Sequence, residues 1–149
     1  MATSPSKRGK VAEALVSKEL KLLATRLDFD FERITDAYSS RGGATTARPG
    51  DFLAFQAGKA VVIEVKEVAH EYRLPRQNFP LDQRARLRKR HLAGCSILVL
   101  VYSSVSKLWR ILPIAEFGVE TTGSWDMRET SAGALRLHLE QVFNYGQQT

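Results

Sequence analysis

The sequence contains little cysteine and no long hydrophobic run. Cys95 is the one cysteine among 149 residues, which excludes an internal disulfide and a zinc site built on several cysteines, and fits a reducing compartment. The longest unbroken apolar stretch, Ile97 to Tyr102, is far shorter than the roughly 20 residues of a membrane-spanning helix. The N-terminal segment has no apolar signal core. We therefore expect a cytoplasmic protein with no membrane partner.

The sequence also lacks a linker, an internal repeat and a low-complexity block. A chain of this length can bury about 68 to 70% of its unfolded surface, enough for one core without disulfides or structural metals. We expect a single domain over residues 1–149, with mobile ends at 1–6 and 145–149. Residues 39–50 are rich in Ser, Thr, Gly and Arg, which is typical of an exposed, flexible loop.

Negative charge is in short supply, and the excess of positive charge is local. The chain carries 22 Lys and Arg against 16 Asp and Glu, a formal net charge of +6. Residues 82–91 hold five basic side chains against Asp82 alone, and Asp82 can cap a helix there. A basic excess favours a polyanionic partner without separating DNA from RNA. We expect Arg84, Arg88 and Lys89 to contact phosphates; the alternative is a solvated helix face.

The other elements follow from hydrophobic periodicity, since helices repeat every three to four residues and half-buried strands every two. Together they predict an α/β fold. In chain order we expect a helix over residues 9–27, an edge strand or short helix over 28–38, a hairpin over 52–65, the basic helix over 82–91, a second hairpin over 96–112, a short helix over 113–117 and a strand over 135–139.

The first hairpin carries the candidate catalytic residues. If its turn is centred on Ala57-Gly58, Asp51 faces Glu64 on the opposite strand, and directly opposed side chains lie on the same face. Side chains alternate along a strand, so Lys66 projects from the same face as Glu64. The sequence therefore predicts two carboxylates and a lysine at one end of an otherwise apolar hairpin.

Two carboxylates at such close range repel each other unless a proton or a cation lies between them. Mg²⁺ prefers oxygen ligands and is commonly held by one or two carboxylates, and a metal ion beside an ammonium group suits phosphodiester hydrolysis. The alternative is an ordinary ion pair on a surface hairpin, which is worth little. The apolar run from Val61 to Val65 instead indicates a buried strand, where an unpaired Glu or Lys would be costly.

Several segments match a known nuclease pattern in the same order. Pro49-Gly50-Asp51 followed by Glu64-Val65-Lys66 has the residues of the PD-(D/E)XK nucleases. Lys7 to Glu13 resembles the start of the RecU-type Holliday junction resolvases. Leu74 to Phe79, followed by Asp82-Gln83, resembles the segment after the catalytic lysine of that family. The resemblance spans residues 7–117, although the interval before Asp51 is shorter than the one that carries a stalk in known members.

This resemblance implies a restriction-endonuclease-like core, with a mixed β-sheet flanked by helices, acting as a homodimer on four-way DNA junctions. It implies that Asp51, Glu64 and the backbone carbonyl of Val65 hold Mg²⁺, with Mn²⁺ as a substitute and no small-molecule cofactor. The same resemblance implies three further roles: Lys66 orients water or stabilises charge, Glu13 is an auxiliary acid, and Gln83 is a polar contact in the active site.

Four more arginines are candidate DNA contacts. Arg41 and Arg48 belong to the Gly-rich loop that precedes Asp51, and Arg73 and Arg76 follow the hairpin. Two alternatives remain open: a nuclease of the same superfamily acting on other branched or duplex DNA, and a non-catalytic DNA-binding module of the same fold. The resemblance places the protein in the cytoplasm of a bacterial or phage-infected cell.

Overall fold

The fold is built on a mixed five-stranded sheet with helices packed against it. The protein is represented by a computed structural model that describes residues 5–34 and 51–143. Its elements are α1 (Pro5–Leu23), β1 (Phe29–Arg33), β2 (Phe52–Gln56), β3 (Lys59–Val68), β4 (Arg73–Pro75), α2 (Leu81–Leu92), β5 (Ser96–Ser103), β6 (Trp109–Ile111), β7 (Ser124–Asp126) and α3 (Leu135–Phe143), with 3₁₀ turns at Arg76–Asn78 and Ile114–Glu116.

Strand β3 lies at the centre of the large sheet, whose order is β1-β2-β3-β5-β6. It pairs antiparallel with β2 and parallel with β5, so the chain returns to β5 through a crossover that contains α2. Val61 and Ile63 pack into one core cluster, which includes residues of α1 and α3, whereas Val62 packs into a second cluster with Leu87 of α2. Because helices cover both faces, the apolar run in β3 is continuous rather than alternating.

The predicted hairpin register is confirmed. Phe52 pairs with Ile63 and Gln56 with Lys59, and the turn residues Ala57 and Gly58 both have positive φ, at 49° and 79°. Two successive positive φ values are typical of the tight turn that matches the twist of a two-stranded hairpin. The second hairpin is also confirmed, as β5 and β6.

The N-terminal region also folds close to expectation. The helix expected over residues 9–27 is α1, which begins and ends earlier in the chain. Of the two alternatives for residues 28–38, the structure has the edge strand, β1. The expected loop over 39–50 and the end at 145–149 lie outside the described residues.

Two local predictions are wrong. Residues 135–139 belong to a helix, because Leu135, His138, Leu139 and Phe143 are buried at helical spacing while Leu137 is 57% exposed. Asp82 does not cap α2, which follows Pro80 without a side-chain cap. It lies in the first turn, where a carboxylate still interacts favourably with the helix dipole.

None of the helices in the described ranges is long and apolar enough to cross a membrane.

Candidate active site

The predicted acidic residues and lysine of the first hairpin line a single cleft. Its volume is about 440 Å³. Four parts of the fold contribute: the start of α1, the residue before β2, the middle of β3 and the segment that leads into α2. The lining residues are Gly9, Glu13, Asp51, Glu64, Val65, Lys66, Glu67, Asn78, Pro80 and Gln83.

Asp51 is fixed to the central strand by its backbone and by its side chain. Its N–H donates to the carbonyl oxygen of Ile63 at 2.9 Å, and its Oδ2 accepts a hydrogen bond from the Val65 N–H at 2.7 Å. The carboxylate therefore reaches β3 at the residue after Glu64. Asp51 is 6% exposed and Glu64 is 3% exposed, so both carboxyl groups are held in the interior of the cleft.

A glutamine links the acid and the lysine of the motif. Gln83 Nε2 donates to Glu64 Oε1 at 2.7 Å, and Lys66 Nζ donates to Gln83 Oε1 at 3.2 Å. Lys66 Nζ also lies 3.6 Å from Glu64 Oε1. An amide can donate and accept at once, so Gln83 fixes the spacing of two charged groups. The structure thus brings together Asp51, Glu64, Lys66 and Gln83, as the sequence predicts.

The donor set suits a magnesium ion. Asp51 and Glu64 supply hard carboxylate oxygens, and Val65, whose carbonyl oxygen is the third predicted ligand, lines the same cleft. Across residues 5–34 and 51–143, no set of three or more His, Cys, Asp or Glu side chains is arranged to hold a metal ion. Two carboxylates suffice for Mg²⁺, which keeps several of its waters and is seldom held by an all-protein cage.

Helix α1 brings one acidic group, Glu13, to the cleft, where Glu67 of β3 also lies. Glu13, the predicted auxiliary acid, lines the cleft and lies 2.6 Å from Arg33 Nη2 through its Oε2. Glu67 Oε1 accepts a hydrogen bond from the Ala12 N–H at 3.2 Å, which joins α1 to β3.

Sequence reasoning did not assign Glu67, Asn78 and Gly9 to the site. A signal was present, since Gly9 and Asn78 fall within segments that resemble the resolvase family and Glu67 directly follows Lys66 of the nuclease motif.

The expectation that Arg84 is an exposed phosphate contact disagrees with the structure, which buries this side chain. Arg84 is 2% exposed. Its guanidinium donates to three carbonyl oxygens, those of Phe79 at 2.8 Å, Gly118 at 2.7 Å and Glu120 at 2.9 Å. It also lies 5.2 Å from the centre of the Trp125 ring. A guanidinium with these partners holds the segment after β6 against the start of α2 and is inaccessible to phosphate.

The other predicted DNA contacts have different surroundings. Arg88 and Lys89 of α2 and Arg73 of β4 are exposed. Arg76 is half-buried, with Nη1 donating to the Thr122 carbonyl oxygen at 3.0 Å and its guanidinium 5.4 Å from the centre of the Trp125 ring. Arg41 and Arg48 lie outside the described residues.

Comparison with known proteins gives a structural match but no sequence match. No protein-family model matches the chain, and no curated protein matches it by sequence. The structure is similar to that of Hjc, a Holliday junction resolvase from the archaeal hyperthermophile Archaeoglobus fulgidus. The superposition has a TM-score of 0.57 at 19% sequence identity and covers 88% of this chain and 98% of the Hjc chain. The mixed sheet and its three flanking helices therefore form a restriction-endonuclease-like fold.

Proposed function

We propose that this protein is a metal-dependent endodeoxyribonuclease that resolves four-way DNA junctions by paired phosphodiester hydrolysis. The observation that carries the proposal is the hydrogen-bonded group of Glu64, Gln83 and Lys66 beside Asp51, in one cleft at the central strand. The similarity of the fold to a Holliday junction resolvase supports the substrate class. The motifs around Glu13 and Gln83 favour the RecU type among such enzymes.

Each residue of the cleft has a role in this proposal. Asp51, Glu64 and the Val65 carbonyl hold Mg²⁺, or Mn²⁺ in its place, and the bound ion supplies Lewis-acid polarisation of the phosphodiester. Lys66, held by Gln83, orients the attacking water or stabilises the negative charge that develops on the phosphoryl oxygens.

DNA binding is assigned to exposed basic side chains, because phosphate contacts supply most of the affinity for a duplex arm. Arg88 and Lys89 project from α2 into solvent, and Arg73 is exposed in β4. Arg76, which follows β4, is half-buried and is a secondary candidate. Resolving a junction requires a cut in each of two opposing strands, so we propose a homodimer whose two-fold axis matches that of the junction.

The test compares cleavage with binding in variants that keep the shape of each acid. Asp51→Asn and Glu64→Gln remove the negative charge but retain an oxygen that can accept the hydrogen bonds seen in the structure. We expect both variants to lose cleavage of an end-labelled four-way junction in Mg²⁺. They should bind the junction as well as the wild type or more tightly, because repulsion of phosphate is removed. Glu32→Gln, an exposed carboxylate on β1, is the matched control and should cleave normally.

Three other results would change the proposal. Equal cutting of the junction and of a matched linear duplex would leave a nuclease without junction selectivity. Tight junction binding without cleavage in Mg²⁺ or Mn²⁺ would favour a non-catalytic DNA-binding module. Normal cleavage by Asp51→Asn and Glu64→Gln would remove both residues from the reaction.

A further inference from the structure

The ammonium group of Lys66 lies against the face of a buried aromatic ring. Lys66 Nζ is 4.4 Å from the centre of the Phe79 ring, and Phe79 is fully buried. Phe79 follows the 3₁₀ turn at Arg76–Asn78 and precedes α2. The Lys66 side chain is 17% exposed, so the ring takes the place of part of the water that would surround a free ammonium.

Contact with a ring face stabilises and orients a cation. The face of an aromatic ring carries negative potential, and its attraction for an ammonium increases when water is excluded. The lysine side chain is flexible, with a compact charge and three rotatable donors. Contacts with its polar partners, Gln83 and Glu64, do not by themselves fix the position of the ammonium group. The Phe79 face supplies the remaining constraint on the position of Nζ.

The ring itself is held firmly. Phe117 packs edge-on against it with ring centres 4.8 Å apart, and Trp125 packs against it at 6.1 Å. Arg84 Nε donates to the carbonyl oxygen of Phe79 at 2.8 Å. Because its neighbours are buried as well, the ring cannot turn away from Lys66 without disturbing this cluster.

We propose that Phe79 is a positioning residue, whose ring face holds the Lys66 ammonium at the site of phosphodiester cleavage. This inference rests on the proposed function, because it assigns Phe79 a part in the same reaction. Phe79 is also a core residue, so the test must separate the electrostatic contribution of the ring face from packing.

Stepwise fluorination of the ring makes this separation. Replacing Phe79 in turn by mono-, di- and trifluorophenylalanine weakens the negative face while changing ring size little. We expect the single-turnover rate constant for junction cleavage to fall with each step, by about tenfold over the series, with little change in junction affinity. The same series at Phe117, which packs in the same cluster without facing Lys66, should leave the rate unchanged. A flat series at Phe79 in an active enzyme would overturn the inference.

A second measurement needs neither metal nor DNA. The ring current of Phe79 should shift the proton resonances at the end of the Lys66 side chain upfield in the NMR spectrum of the free protein. The shift should disappear in Phe79→Leu and persist in Phe117→Leu. Ordinary lysine resonances in the folded wild type would show that the contact is not formed. Because this readout does not depend on catalysis, it separates failure of the inference from failure of the proposed function.

Discussion

Two buried charged side chains, Asp51 and Arg84, are held by backbone groups. Asp51 accepts the N–H of Val65, which places a carboxylate beside the central strand. Arg84 donates to three carbonyl oxygens and adjoins Gln83, whose amide bonds Glu64. A hydrogen bond to a charged group contributes more to stability than a neutral one. These contacts therefore hold Asp51 and the neighbourhood of Gln83 in place in the cleft.

Removing Arg84 should destabilise the fold. We expect Arg84→Ala to lower the free energy of unfolding by about 3 kcal/mol, because three carbonyl oxygens lose a charged donor in a poorly hydrated place. Urea denaturation would measure this loss. The matched control is Arg88→Ala, an exposed arginine one helical turn later, which should change stability by no more than about 0.5 kcal/mol. Equal, small effects of the two variants would contradict a structural role for Arg84.

At the element scale, α2 has different functions on its two faces. Arg84 and Leu87 are buried and attach the helix to the sheet. Arg88 and Lys89, the two residues that follow Leu87, are exposed. Because Gln83 lies in the first turn of α2, the same helix completes the cleft and carries positive charge near it. A DNA strand bound at the cleft can therefore meet basic side chains of the same element.

The exposed face of α2 should govern the salt dependence of binding. Each phosphate contact that is lost reduces the slope of log K against log salt by about 0.9. We expect Arg88→Gln with Lys89→Gln to weaken junction binding and to lower this slope by about two. Lys59→Gln with Lys107→Gln, at the turns of the two hairpins, removes the same net charge and should change the slope little. Fluorescence anisotropy across a salt series is the measurement. Equal slopes for the two pairs would indicate that the exposed face of α2 is only solvated and does not contact DNA.

Substitutions of two leucines of α3 that are two residues apart should have different effects on stability. Leu139 is fully buried, whereas Leu137 is 57% exposed. Leu139→Ala should lower the free energy of unfolding by about 3 kcal/mol, and Leu137→Ala by no more than about 0.5 kcal/mol. A strand would place both side chains on the same face. Similar losses in urea denaturation would therefore contradict the helix.

The elements that the sequence predicts well are those specified by local residues. The register of the first hairpin follows from a short turn at Ala57-Gly58 and from apolar runs on both sides. The strand predicted over residues 135–139 failed because Leu135, Leu137 and Leu139 alternate, although burial follows the helical spacing of Leu135, Leu139 and Phe143. Tertiary packing decides between two periods that a short apolar segment satisfies equally.

In the candidate site too, residues close together in the sequence could be predicted, and contacts between distant segments could not. Asp51, Glu64 and Lys66 could be placed together because one hairpin carries all three. Arg84 could not be separated from the exposed arginines of its helix, since the carbonyl oxygens that bury it include those of Gly118 and Glu120, far along the chain. The contact between the Phe79 ring and Lys66 could not be predicted either, because it depends on how the segment before α2 packs.

At the scale of the whole molecule, the cleft exists only when the sheet is assembled. Its residues come from α1, the β2–β3 hairpin and the start of α2, and α2 belongs to the crossover between the parallel strands β3 and β5. Folding of the sheet and its crossover therefore brings the acids, the lysine and the glutamine together. The proposed homodimer would present two such clefts to the two strands that are cut.

The measurement that tests the central claim most directly uses a supercoiled plasmid that extrudes a cruciform. Paired cuts across the four-way junction convert the plasmid directly to the linear form, whereas a single cut releases the supercoiling and yields a nicked circle. We predict direct conversion to linear DNA by the wild type in Mg²⁺, and intact plasmid with EDTA or with Asp51→Asn. Intact plasmid with the wild type in Mg²⁺, or linear DNA formed by Asp51→Asn, would contradict the account.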